Sequence, residues 1–157
     1  MKPPVQSRAF SILYRLRRAF LRVRQPLTLG VRCIVARGDG HVLLVRHTYL
    51  PGWYLPGGGV ERGESLEAAI ARELWEEVGV KPLERPALFH AYSNFKEWKS
   101  DYVLIYALRH FEMTPNPNLE IAEQGFFHPD ELPQDTSPST LRRLEEWRGR
   151  AAPSGDW

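Results

Sequence analysis

The chain has 157 residues, is 43% hydrophobic and 25% charged, and carries a formal net charge of +2 with a single cysteine. That length suits one domain around one core, and no run approaches the roughly 20 apolar residues of a membrane span. The charge is too small for a general nucleic-acid binder, so stable nucleic-acid binding is not expected.

Residues 1–25 form a basic extension, where much of the positive excess lies. In SRAFSILYRLRRAFLRVR, Phe10, Leu13, Tyr14, Phe20 and Leu21 recur at near-helical spacing with Arg8, Arg15, Arg18 and Arg22 interleaved. The pattern predicts a basic amphipathic helix, packed on its own domain or a dimer mate, or making weak membrane-surface contact through residues 8–24. Arginines interrupt the apolar run and no small-residue cleavage site follows, which argues against a secretory signal; an organelle transit peptide stays open.

Residues 26–150 read as a single domain. LTLGVRCIVAR predicts a strand, RGDG a turn and HVLLVRH the return strand of a hairpin. Cys33 lies in the first of these strands, where a small buried thiol is the ordinary reading, and one cysteine fits a reducing, cytoplasmic setting. TYLPGWYLPGGG predicts a loop. A helix is expected after Ser65 as N-cap, ending at Gly79. Downstream, PALFHAYSN predicts a strand, NFKEWKS a loop and DYVLIYALRHF a long central strand with apolar residues on both faces. TPNPNLEIAEQ predicts a loop carrying glutamates, QGFFHP a short strand and PDELP a helical turn. SPSTLRRLEEWRGR predicts a last helix, with Ser137 as N-cap and Pro138 at its first position. Residues 151–157 are expected to fray. Strands mixed with two internal helices, without strict alternation, favour a mixed sheet with helices packed over it, an α/β (α+β) class.

The helix from Leu66 to Val78 carries Glu73, Glu76 and Glu77. At about 100° per residue, all three fall within one arc of about 100°, beside the apolar sector of Leu66, Ile70, Leu74 and Val78. Like charges at these spacings repel, unpaired anions at a buried margin are costly, and the helix C-terminus adds partial negative charge. A hard divalent cation resolves the conflict, since Mg²⁺ takes oxygen ligands from carboxylates, water and phosphates. The competing reading is a solvated acidic face supported by Arg72, one turn before Glu76.

Gly58, Glu64, Arg72, Glu73, Leu74, Glu76, Glu77, Gly79 and Val80 together fill every fixed position of a 23-residue signature, and the stretch GGVERGESLEAAIARELWEEVGV resembles the box of the Nudix hydrolase superfamily. The lead-in Trp53 to Pro56 is also similar, and the resemblance extends over roughly residues 27–133. It implies a mixed β-sheet packed between helices, an α/β/α sandwich. It further implies hydrolysis of a phosphoric anhydride (pyrophosphate) bond, in a nucleoside diphosphate linked to another group or a nucleoside triphosphate, with Mg²⁺ or Mn²⁺. By the same resemblance, Glu73, Glu76 and Glu77 would be metal ligands, with the Gly58 carbonyl as a further one and Glu64 and Arg72 orienting the carboxylates. Glu120 or Glu123 from a later loop would serve as general base, with Glu120 preferred, unless a ligand glutamate activates the water. Dimerisation is compatible with the superfamily.

For recognition of a nucleotide-type substrate, Arg46 is the phosphate-contact candidate, with Tyr49, Trp53, Tyr54, Phe95 and Trp98 as stacking candidates; core packing competes for each aromatic, and Trp53 reads as structural. Phe95 and Lys96, standing where ADP-ribose hydrolases often have a proline, and Trp98, where diadenosine polyphosphate hydrolases often have a tyrosine, assign neither substrate. Two alternatives remain: a nucleotide-binding or regulatory module without efficient catalysis, and a prenyl diphosphate isomerase, which would need Cys33 in the active site.

Overall fold

The computed structural model describes residues 27–95 and 100–157. The expected N-terminal helix and Lys96 to Lys99, with Trp98 among them, lie outside the described residues. Within them the order is β1 (Leu27–Val35), β2 (Val42–His47), α1 (Leu66–Val78), β3 (Val80–Pro82), β4 (Ala87–Asn94), β5 (Ser100–Leu108), β6 (Phe111–Met113), β7 (Ile121–Phe127) and α2 (Pro138–Trp147). No helix among the described residues is long and apolar enough to cross a membrane.

The sheet β1-β5-β4 is mixed: β1 runs parallel to β5, and β4 runs antiparallel to it. Side chains alternate across a strand, so one strand can feed two cores. Val31, Cys33 and Val35 of β1 join Leu104, Tyr106 and Leu108 of β5 against Ile70, Leu74 and Val78 of α1. Ile34, Val103 and Ile105 face the other way, into a second core with Leu144 of α2 and the loop residues Trp53 and Leu55. β2 divides likewise, Leu43 and Val45 to the first core and Val42 and Leu44 to the second. Sheet between helices is the expected sandwich, and β5 is its central strand.

Three expectations are corrected. β1 and β2 do not form a hairpin ladder: the tight turn is present, with Arg37 N donating to His41 O at 2.9 Å, but pairing between the two arms stops at the Ala36–Val42 bridge. β1 then pairs with β5 and β2 with β7, because the loop after β2 takes the edges the two arms would share, Cys33 N donating to Pro56 O and Val45 N to Tyr54 O. Glu123 belongs to β7, which starts at Ile121, rather than to the preceding loop. The segment expected to fray is docked: Ser93 N donates to Gly155 O (2.8 Å) and Trp157 N to Ser93 O (2.9 Å), extending the edge at β4.

Candidate active site

The glycine-rich loop is a seam. Cys33 N donates to Pro56 O, Val31 N to Gly58 O and Val60 N to Leu29 O, each at 2.9 Å, so the loop runs along the free edge of β1. Just before it, Tyr54 and Val45 exchange two backbone bonds of 2.9 Å, tying the same loop to β2. This closeness requires glycine at one position, and at the next glycine leaves room for a side chain. Gly57 has φ +133°, and a Cβ there would overlap the Val31 carbonyl. A Cβ on Gly58 would stand 2.5 Å from the Glu73 carboxyl.

α1 is aimed at this seam. Its start is fixed by Ser65, whose side chain accepts from Ala68 N (3.1 Å), and its end by Gly79 in the left-handed conformation, φ 67°. Glu77 is 7% exposed and accepts from Gly57 N at 2.8 Å. Burial pushes its carboxyl up to about 7, overcoming the pull of Arg32 and of the Gly57 bond. Burial raises Glu73 as well, against the opposing pull of Arg72. Glu76 is more than half exposed.

Arg72 organises the remaining carboxylates. Its Nε and Nη2 donate to the two oxygens of Glu64 (2.8 and 2.9 Å), and Nη1 reaches Glu73 (2.9 Å) and Glu76 (3.2 Å). Nη2 also donates to Gly59 O at 3.0 Å, linking helix to loop. The guanidinium holds the Glu64 carboxyl down to about 2. A planar fork with five donors can serve this many oxygens; a lysine cannot.

Beyond α1, Asn118 joins two parts of the site. Its Nδ2 donates to Glu76 O (3.1 Å) and Glu77 O (2.9 Å), and its Oδ1 accepts from Glu120 N (3.0 Å) and Ile121 N (2.9 Å). Asn116 Nδ2 adds a bond to Trp75 O at 2.6 Å. Glu120 is thereby fixed beside the end of the glutamate helix. A recess of about 290 Å³ is lined by Glu73, Glu76, Glu77 and Glu120 together with Asn118 and Leu119. A larger cleft of about 740 Å³ takes in Gly58, Glu64, Glu73, Glu77 and Glu120 and extends along β1.

Arg32 and His47 also line the large cleft. Arg32 Nη1 is buried without a hydrogen-bond partner among the described residues, as is His47 Nδ1. His47 Nδ1 lies 4.0 Å from Glu77, but burial first and Arg32 second depress its basicity, so this approach is not an ion pair. Arg32 was missed by sequence reasoning; its signal was a lone arginine inside the apolar run LGVRCIV.

Other predicted residues stand elsewhere. Arg46 pairs with Asp135 (2.7 Å), approaches Glu123 (3.9 Å) and lies 5.1 Å from the Trp53 ring centre, and it does not line the cleft. Tyr54 donates its hydroxyl to Pro51 O (2.7 Å) and packs on the first core. Phe95 is exposed, edge-on to Tyr102. Tyr49 does line the cleft, beside His47. Cys33 is fully buried in the first core, its thiol pushed far up by burial, so it is not placed for isomerase chemistry.

The site fits a hard divalent cation in the kind of donor it offers: carboxylate oxygens, two of them raised by burial, and a backbone trimmed to glycine where Glu73 approaches. Among the described residues, no three His, Cys, Asp or Glu side chains already converge on one point. The reason is visible in the bonds: Arg72 draws Glu73 and Glu76, while Gly57 N draws Glu77.

Residues 26–147 match the NUDIX domain. The chain belongs to the Nudix family. A crystal structure of a MutT NUDIX hydrolase from Burkholderia pseudomallei superposes with a TM-score of 0.67 at 29% identity, covering 76% of this chain and 97% of that one. A NUDIX hydrolase from Nitrosomonas europaea shares the fold, with a TM-score of 0.66 at 23% identity over 82% and 74% of the two chains. A MutT-like protein of Streptomyces ambofaciens is 39% identical over 67 residues, 43% of each chain. An RNA pyrophosphohydrolase of Roseobacter denitrificans is 44% identical over 54 residues, 34% of each chain. The alignments thus span less than half the length of these two curated relatives.

Proposed function

We propose that this Nudix domain is a metal-dependent pyrophosphohydrolase, cleaving a phosphoric anhydride bond in a nucleoside triphosphate or in a nucleoside diphosphate linked to another group. The observation that carries this reading is the recess that Glu73, Glu76, Glu77 and Glu120 all line, beside a cleft large enough for a nucleotide. The name of the Roseobacter relative supports an anhydride as the target bond.

Glu73, Glu76 and Glu77, with the Gly58 carbonyl, are the groups that would hold Mg²⁺ or Mn²⁺. Such an ion, when bound, neutralises phosphate oxygens and makes water a better nucleophile. Glu64 and Arg72 orient the carboxylates, as residues behind metal ligands do. Arg32, with a buried donor still to satisfy, is the cation on the protein side for a phosphate oxygen. Glu120 accepts the proton of the attacking water while the bridging P–O bond breaks and its electron pair leaves with the departing phosphate. Placement favours Glu120 over Glu123: Glu120 lines both cavities, whereas Glu123 sits on β7 opposite Arg46.

The test is turnover of nucleoside triphosphates, dinucleotides and nucleotide sugars with Mg²⁺ and with chelator, products being identified by mass. Glu76→Gln and Glu77→Gln are expected to abolish metal-dependent turnover with the fold intact. Full activity in either variant overturns the metal assignment.

A further inference from the structure

The cleft has a second end that the chemistry above does not use. Starting from the seam, where Val31 bonds Gly58, it follows β1 back to Thr28 and Leu27, about 10 Å away at the rise of a strand. There it is lined by Leu27, Thr28, Leu29, Asp101, Val103 and Trp157. Register places these residues together: Thr28 pairs with Asp101, Leu29 with Tyr102, Tyr102 with Ser93, and Ser93 bridges Asp156.

Trp157 is held there by a buried ionic cluster with no part in the carboxylate site. Arg143 of α2 is 0% exposed, and its guanidinium carbon lies 3.8 Å from the Tyr92 ring centre. It donates to Glu146 (2.8 Å), Asp156 O (2.8 Å) and Ser154 Oγ (3.2 Å), while the Tyr92 hydroxyl donates to the other Glu146 oxygen (2.6 Å). Burying an ion pair is a poor way to gain stability. Here two of the bonds go to residues 154–156, so the cluster fixes the position of the segment that carries Trp157.

The chemistry of this end suits a nucleobase. Leu27, Leu29, Val103 and the Trp157 indole give it apolar wall and Asp101 a carboxylate, while Glu61 and Arg62, carried alongside Leu29 by the Val60 bond, line its loop side. Asp101 Oδ1 accepts from Thr28 Oγ1 at 2.9 Å, which leaves the carboxylate able to accept from a ligand N–H or hydroxyl. We propose that Trp157 and Asp101 form the nucleoside end of the cleft, with Trp157 as the wall on which the base stacks and Asp101 as an acceptor for its donors. The orientation rests on the proposed function, which assigns the phosphates to the carboxylate end.

Two measurements test it. Adenosine and guanosine are expected to quench the tryptophan fluorescence of the wild type and not that of Trp157→Phe, which keeps an aromatic wall but loses this fluorophore; equal quenching in both proteins overturns the proposal. In Mg²⁺-dependent turnover, Trp157→Ala is expected to lower kcat/KM for guanosine triphosphate about ten-fold relative to inorganic triphosphate, the size of one base–aromatic stack, with Trp157→Phe restoring most of it. An unchanged ratio, with melting curves showing a folded variant, also overturns it. Nucleosides have no anhydride bond, so the fluorescence result stands apart from hydrolysis; a wild type inactive on every compound counts against the proposed function alone.

Discussion

Glu77→Gln removes a buried charge while keeping its shape, and an amide oxygen can still accept from Gly57 N as Glu77 Oε2 does at 2.8 Å. In the metal-free protein, burial raises this carboxyl from an ordinary 4.5 to about 7. A carboxyl whose pKa rises on folding holds its proton more tightly in the folded state. Its contribution to stability is therefore complete below about pH 4.5 and is lost as the pH climbs through about 7. At 1.36 kcal/mol per pH unit, the rise corresponds to about 3 kcal/mol, an upper bound. Glutamine does not titrate. With chelator present, Glu77→Gln is expected to exceed the wild type in stability by up to about 3 kcal/mol at pH 8, with the gap narrowing to about 1 kcal/mol at pH 5. For a chain of this size, that is up to roughly 6–12 °C in Tm. Thermal melts followed by circular dichroism at pH 5, 6.5 and 8 read the gap directly. Mg²⁺ is expected to raise Tm of the wild type at pH 8 and to move the variant much less, because an ion that binds only the folded state stabilises it by mass action. A variant that melts below the wild type at pH 8 in chelator refutes the reasoning, since Glu77 would then be a compensated charge.

Gly58→Ala and Gly59→Ala separate two roles within one loop. A Cβ at Gly58 stands 2.5 Å from the Glu73 carboxyl and is expected to cut turnover at least ten-fold, whereas a Cβ at Gly59 meets nothing within 4 Å and leaves kcat/KM within two-fold. Asn118→Ala strips donors from Glu76 O and Glu77 O and an acceptor from Glu120 N and Ile121 N. It is expected to cost about 1–3 kcal/mol in denaturant unfolding and to lower kcat more than it raises KM, because Glu120 loses its fixed place. Cys33, fully buried, is expected to react with a thiol reagent only once the protein is unfolded; modification of the native protein at the free-thiol rate contradicts the core placement.

What was legible in the sequence was local. The limits of α1 followed from Ser65 and Gly79, and the start of α2 from Ser137 and Pro138, because capping is decided within a few residues. The central place of β5 followed from apolar residues on both its faces. The separate partners of β1 and β2 were not legible: a good turn at Arg37 to Gly40 says that the chain reverses, not that its arms stay paired. Nor was the docking of residues 154–157, which depends on Arg143 finding Asp156 O and on Ser93 offering an edge. At the site, the gathering of Glu64, Arg72 and Glu73 was readable from one helix and its lead-in. The removal of Arg46 to Asp135, and the entry of Arg32, depended on pairs far apart in sequence.

The three glutamates of α1 share an arc, yet the fold gives each a different environment. Glu77 takes an N–H from the loop, Glu73 packs where a glycine makes room, and Glu76 stays with Arg72 near solvent. Their repulsion is thus met by two donors, the Arg72 guanidinium for Glu73 and Glu76 and Gly57 N for Glu77. The C-terminal carbonyls of α1, the negative end of its dipole, are met the same way, by the amides of Asn116 and Asn118. The compensation is incomplete, since burial still raises Glu73 and Glu77. That residue of unfavourable charge is what a divalent cation would relieve, and the donors that keep the carboxylates apart without it are the same groups that would orient them around it. Asn118 extends this to Glu120, so the candidate base and the candidate ligands are referred to one helix end rather than to two independent loops.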